Sequence, residues 1–190
     1  MAYYSTEQLV KIGFKHVGKN VKISDKASIY DANLIDIGDN SRIDDFCVVS
    51  GNVNIGKYVH IAPFCLVAGG EMGVEMKDFV GLAYHVQIFS QSDDYSGLTL
   101  TNPTVAAKYK QEKKKKVILD RHVIVGAGSI IFPGVHIAEG CSVGAMTLVN
   151  RSTQPWGIYV GNPAVRVKDR KKNLLELEID FLRGENSDPI

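Results

Sequence analysis

Two side chains bracket the place where the chain's regular pattern stops, and both can handle protons. His85 ends the block VGLAYH, and Asp93, within SQSDDY, begins the irregular stretch that follows. An imidazole with a carboxylate in reach makes an ordinary general base. A carboxylate alone is a weak base toward a neutral alcohol, because its usual pKa is near ~4. It is better suited to orienting an amine or holding its departing proton. Whether His85 or Asp93 is the base stays open at this level. His60 ends a block of its own and is a further candidate for the same site from a neighbouring copy. His122 in a turn, His136 at a block end and His16 ahead of the first block read as structural. No second histidine falls near His60 or His85, and Cys47, Cys65 and Cys141 lack ligand spacing, so no metal site is expected. The run Lys113 to Lys116 reads as a solvated face rather than a phosphate site.

The elements that must hold these residues are written most plainly between Leu119 and Leu148. Leu119, Val125, Ile131, Ile137 and Val143 recur every six residues, and Val123, Ser129, Val135, Cys141 and Thr147 follow each of them as a second small or β-branched rank. A helix would repeat every three or four residues and a two-sided strand every two. A sustained period of six fits a parallel β-helix, with one short strand and a corner per hexad and three hexads per coil. The same period runs from Val17 through Val67, with a slip before Ile37, and a slip at Gly69-Gly70 resets it to Val74, Val80 and Val86. Coils are expected over residues 17–91 and 117–150, with Cys47, Cys65 and Cys141 pointing inward as small hydrophobes. Residues 92–116 have no period and are too long for an ordinary connection, which marks a functional excursion. Ser5 and Gln8 form a capping box for a short helix within residues 1–16 that covers the open end of the coil. An amphipathic helix is expected over 169–183, with a wide apolar face that needs either its own coil or a neighbouring subunit, and the tail after Gly184 is expected to fray.

With 22 basic and 21 acidic side chains in 190 residues, nothing draws the chain toward nucleic acid or a membrane. The polar start is not a signal peptide, no stretch is long enough to span a bilayer, and an odd number of buried thiols suits a reducing compartment; the protein is expected in the cytoplasm.

The hexads, the excursion motif DDYSGLTLTNPT and the exit WGIYVGNPA together resemble the hexapeptide-repeat acyltransferases, near the galactoside and maltose O-acetyltransferases and the nucleotide-sugar N-acyltransferases. The resemblance covers nearly the whole chain. It implies an all-β fold, a left-handed parallel β-helix with a short N-terminal helix, a long excursion loop and a C-terminal α-helix. It also implies a homotrimer with three sites between adjacent coils, and transfer of an acetyl or similar group from acetyl-CoA or another acyl-CoA to a sugar. By the same resemblance the pantetheine arm lies along Gly126-Ala127 and Gly144-Ala145, where small residues permit close approach, and the Ala127 amide serves as oxyanion donor. Arg151, Pro163, Arg166, Lys168 and Arg170 fall where the cofactor's phosphates are bound. Asp93 stands where the galactoside and maltose enzymes have a histidine base, which tilts the acceptor toward an amino-deoxysugar nucleotide of surface-polysaccharide synthesis. A sugar O-acetyltransferase using a histidine base and a non-catalytic β-helix scaffold are the competing expectations. The related trimeric carbonic anhydrases use closely spaced histidines that are missing here.

Overall fold

Hydrophobic side chains every six residues bury themselves by stacking coil on coil, and the computed structural model, which describes residues 2–185, shows a parallel β-helix. Short strands of two to four residues line three faces. The first face carries His16–Val17, Ile35–Ile37, Val53–Ile55, Val74–Met76, Val117–Leu119 and His136–Ile137. The second runs from Lys22–Ile23 through Gly81–Leu82 and Ile124–Val125 to Ser142–Val143 and Gly157–Val160, and the third from Ser28–Ile29 through Gln87–Phe89 to Leu148–Val149. Every pairing between coils is parallel, so the strand amides find their partners one coil away.

Both expected inward ranks are buried, except in the first coil, where Val17, Val21 and Ile29 are half-buried. Leu119, Val125, Ile131 and Ile137 are fully inaccessible, as are Val123, Ser129 and Cys141. The frame of the fourth coil needs correction. Met76, Leu82 and Ile88 align with Leu119, Val125 and Ile131, which makes them the first rank. Val80 and Val86 are the second rank, and Val74 precedes the coil in line with Val117. Both ranks point inward, and pattern alone does not tell one from the other. The error had a consequence: His60 sits on the second face opposite Gly81, whereas His85 occupies the corner beyond Leu82, so the two histidines are not equivalent.

The N-terminal helix α1 (Thr6–Ile12) has the expected capping box, with Ser5 and Gln8 each serving the other's backbone amide, and it stops at Gly13 in the left-handed region. Its Leu9 is buried in the core and covers the first coil. At the other end, residues from Asp169 do not begin a helix. Val165–Asp169 is a strand, antiparallel to Gly157–Val160, and the helix α2 (Leu174–Glu185) starts later. Strand pairing with the last coil satisfies those backbone groups before the chain is free to turn. Only part of the apolar side of α2 lies on its own coil: Phe181 meets the stacked rings of Tyr58 and Phe79 edge-on and Glu178 joins Arg121 and the buried His122, while Leu177 and Ile179 stay exposed. The expected fraying after Gly184 concerns a stretch almost wholly outside the described residues.

Candidate active site

The excursion leaves the coil as an antiparallel stem, Gln91–Ser92 against Lys113–Lys114. All four lysines are exposed, as a solvated face requires, and three of them also reach the coil. Lys114 pairs with Glu71 and Glu112, Lys116 with Glu75, and the Lys115 stem lies against Gly134, so the run fastens the excursion to the coil. Inside the loop, Asp94 accepts from Ser96 and Thr99, both backbone and hydroxyl, and the Ser96 amide foremost holds its carboxyl below the usual range. Asp94 therefore shapes the loop. Asp93 is less committed: one carboxylate oxygen accepts the Asn102 amide at 3.3 Å, and the other has no partner among the described residues. It lines a groove of about 520 Å³ with Tyr95, Glu112, Lys113, Phe132 and Pro133.

His85 lies at the corner between the second and third faces, with φ 59° and its ring stacked on Phe64 at 4.8 Å between centroids. Phe46 continues the stack below. The imidazole is exposed and its nitrogens bond no other described residue. It does not pair with Asp93, which lies beyond the far end of the third face. In the same corner one coil on, Gly128 aligns with His85 and Ala127 precedes it, in line with Tyr84. The Ala127 N–H has no acceptor among the described residues, although its carbonyl takes the Met146 amide at 2.8 Å. Ala145 repeats the arrangement one coil further on.

Gly126 and Gly144 are there, but the stacking of coils already explains the first. A Cβ on Gly126 would sit 2.5 Å from the Ala145 nitrogen and 2.6 Å from the Gly144 carbonyl carbon. A Cβ on Gly144 would meet only the end of Val160, at 2.8 Å. Arg151, Pro163 and Lys168 are exposed, and Pro163 follows a cis peptide bond. Arg166 spends its guanidinium on Asp169 at 2.9 Å. Arg170 is turned toward the coil: one guanidinium nitrogen donates to the carbonyls of His122 and Gly140, and burial pulls its pKa down.

Sequence reasoning passed over one polar cluster. Asp44, 1% exposed, accepts two bonds from Arg42 at 2.7 and 2.8 Å and one from His60 at 2.8 Å. Burial alone would raise its pKa, but the Arg42 and His60 bonds outweigh it and hold the carboxyl low. The signal was legible, since His60 aligns with Arg42 one coil later. His16 and His136 likewise pair with Asp36 and Asp120, and His122 is buried against Glu178. No group of three potential ligands is placed to hold a metal ion among the described residues.

Coils, excursion and hairpin exit define a hexapeptide-repeat transferase, and residues 35–69 match the bacterial transferase hexapeptide (six repeats) family. The chain is 42% identical over 95% of both chains to the dTDP-4-amino-4,6-dideoxy-D-glucose acyltransferase of Escherichia coli. It is 52% identical to AntD, an N-acyltransferase from Bacillus cereus solved with dTDP and 3-hydroxybutyryl-CoA, with a TM-score of 0.95 over 97% of this chain and 98% of that one. A maltose O-acetyltransferase from Clostridium difficile 630 shares the fold at 22% identity and a TM-score of 0.56, covering 87% of this chain and 74% of that one. The chain belongs to the hexapeptide-repeat acyltransferases. Within them it is a coenzyme-A-dependent sugar acyltransferase, and the scaffold reading falls. No helix among the described residues is long and apolar enough to cross a membrane.

Proposed function

We propose that the chain transfers an acyl group from acyl-CoA to the 4-amino group of dTDP-4-amino-4,6-dideoxyglucose, with Asp93 as base and the Ala127 amide as oxyanion donor. The observation that carries the assignment is Asp93: a half-buried carboxylate lining a groove, with one oxygen uncommitted and no ion pair among the described residues. The acceptor follows the Escherichia coli relative and AntD, solved in variant form with that amino sugar and coenzyme A. Asp93 orients the amine, whose lone pair attacks the thioester carbon. As the C–N bond forms, negative charge moves to the carbonyl oxygen and is met by the Ala127 N–H. The nitrogen becomes acidic and passes its proton to Asp93; the C–S bond then breaks, and the departing thiolate takes up a proton. One oxyanion donor of this kind accelerates transfer by roughly 10²–10³.

Asp93 and Ala127 stand on opposite sides of the third face in one chain, which supports a homotrimer in which one subunit's excursion faces its neighbour's corner. The exposed Arg151 and Lys168 are free for cofactor phosphates. A dTDP-linked amino sugar as acceptor fits a role in surface-polysaccharide synthesis, and three buried free thiols fit the cytoplasm. The test is incubation of the chain with 3-hydroxybutyryl-CoA or acetyl-CoA and the amino sugar nucleotide. An amide-linked product, stable to mild base, is expected together with one free thiol per turnover. A base-labile ester, or no product with either donor, would overturn the proposal.

A further inference from the structure

Ser129 is buried, yet it touches the backbone on both sides of the proposed coenzyme A groove. Its Oγ donates to the Gly144 carbonyl at 2.8 Å and accepts the Thr147 amide at 3.2 Å, while its own N–H donates to the Gly126 carbonyl at 3.3 Å. In a planar trans peptide the carbonyl and the next N–H point opposite ways. A Gly144 carbonyl held by an oxygen inside the coil therefore turns the Ala145 N–H away from the interior. The tight seat of Gly126 against the Gly144–Ala145 peptide agrees, because that peptide lies flat over it. The Ala145 amide has no acceptor among the described residues, and neither does the Ala127 amide, one coil or ~4.8 Å away.

A second copy of this arrangement shows what such an amide is for. Ser41 donates to the Gly56 carbonyl at 2.8 Å and accepts the Val59 amide at 3.0 Å, with Gly38 seated against the Gly56–Lys57 peptide as Gly126 is seated against its own. There the outward amide, Lys57 N–H, is taken by a carboxylate oxygen of Asp78 at 2.8 Å. At Ala127 and Ala145 no described residue supplies such an oxygen. Resting on the coenzyme A reading above, we infer that Ser129 is a positioning residue. Its hydroxyl fixes the Ala145 amide as a donor to a carbonyl of the pantetheine arm, beside the Ala127 donor that serves the thioester.

Neighbouring coils provide the variants. Valine occupies the same inward rank at Val86, Val123 and Val135, and cysteine at Cys47 and Cys65, whose thiols bond the Ala62 and Ala83 carbonyls at 3.1 Å as Ser129 bonds Gly144. Steady-state kinetics on the full chain, with calorimetric titration of coenzyme A, compares Ser129→Val, Ser129→Cys and the control Ser41→Val. Loss of one hydrogen bond to bound ligand predicts a three- to tenfold rise, about that of one net hydrogen bond, in KM for acyl-CoA and in Kd for coenzyme A in Ser129→Val. The value of kcat is expected to stay within about twofold, since the contact is the same in ground and transition states. Ser129→Cys should recover most of the loss, and Ser41→Val should leave both constants unchanged while lowering the melting temperature; Ser129→Ala replaces the valine variant if that one does not accumulate. Wild-type constants in Ser129→Val or Ser129→Ala, or an equal rise in Ser41→Val, would overturn the inference alone. No coenzyme A binding by the wild type would overturn the functional proposal and the inference with it.

Discussion

Replacing Gly126 by alanine separates two reasons for a small residue at the cofactor groove. If the glycine is kept for the pantetheine arm, the empty protein should tolerate a methyl group. The structure says otherwise, because the new Cβ would lie 2.5 Å from the Ala145 nitrogen and 2.9 Å from its Cα, and backbone of a neighbouring coil cannot rotate aside. Overpacking of this kind costs about 1–3 kcal/mol. For a chain of this size each kcal/mol moves the melting temperature by roughly 2–4 °C, so Gly126→Ala should melt about 2–12 °C lower without any ligand. Gly144→Ala is the internal comparison: its Cβ meets only a Val160 methyl, which can swing away, and the cost should stay within about 1 kcal/mol. Differential scanning calorimetry at fixed chain concentration reads both. An empty Gly126→Ala that melts like the wild type, with only coenzyme A binding lost, would refute the packing argument.

Asp44→Asn should destabilise the chain by about 1–3 kcal/mol at neutral pH, because it weakens the bonds from Arg42 and His60 to a buried carboxylate. The Asp44 carboxyl is held low in the fold, so this stabilisation is present above the ordinary Asp pKa and is lost as pH falls through the depressed one. Denaturant midpoints of variant and wild type should therefore converge in acid; a gap that widens in acid would contradict the sign. Glu178→Ala should release α2 from Arg121 and His122, seen as faster amide exchange confined to Leu174–Glu185 with the coils unchanged. Unchanged exchange there would mean that the ion pairs do not hold the helix on the coil.

The β-helix was legible because a solenoid must bury something at each of its turns, and two ranks of small apolar residues repeated from Val17 to Thr147. The same redundancy hid the frame of the fourth coil: Met76 and Val80 are both inward, and only strand register tells their ranks apart. The capping box at Ser5 was readable since it is a local motif. The strand Val165–Asp169 was not, because its pairing with Gly157–Val160 is a tertiary choice that overrides the local pattern. Of the site, Asp93 stood out by its place at the head of the excursion. The ion pairs of Lys114 and Lys116 join residues some forty positions apart, as does the turn of Arg170 into the His122 carbonyl, and no local signal announces them.

In the proposed transfer, Asp93 takes the proton released as an amine is acylated. Turnover of Asp93→Asn on the amino sugar nucleotide, with coenzyme A affinity measured on the same sample, tests it most directly. The expected result is a fall in kcat of about 10²–10⁴, the usual range for a positioned base, with coenzyme A affinity unchanged. A near-wild-type kcat in Asp93→Asn, with a large loss in His85→Ala instead, would contradict it.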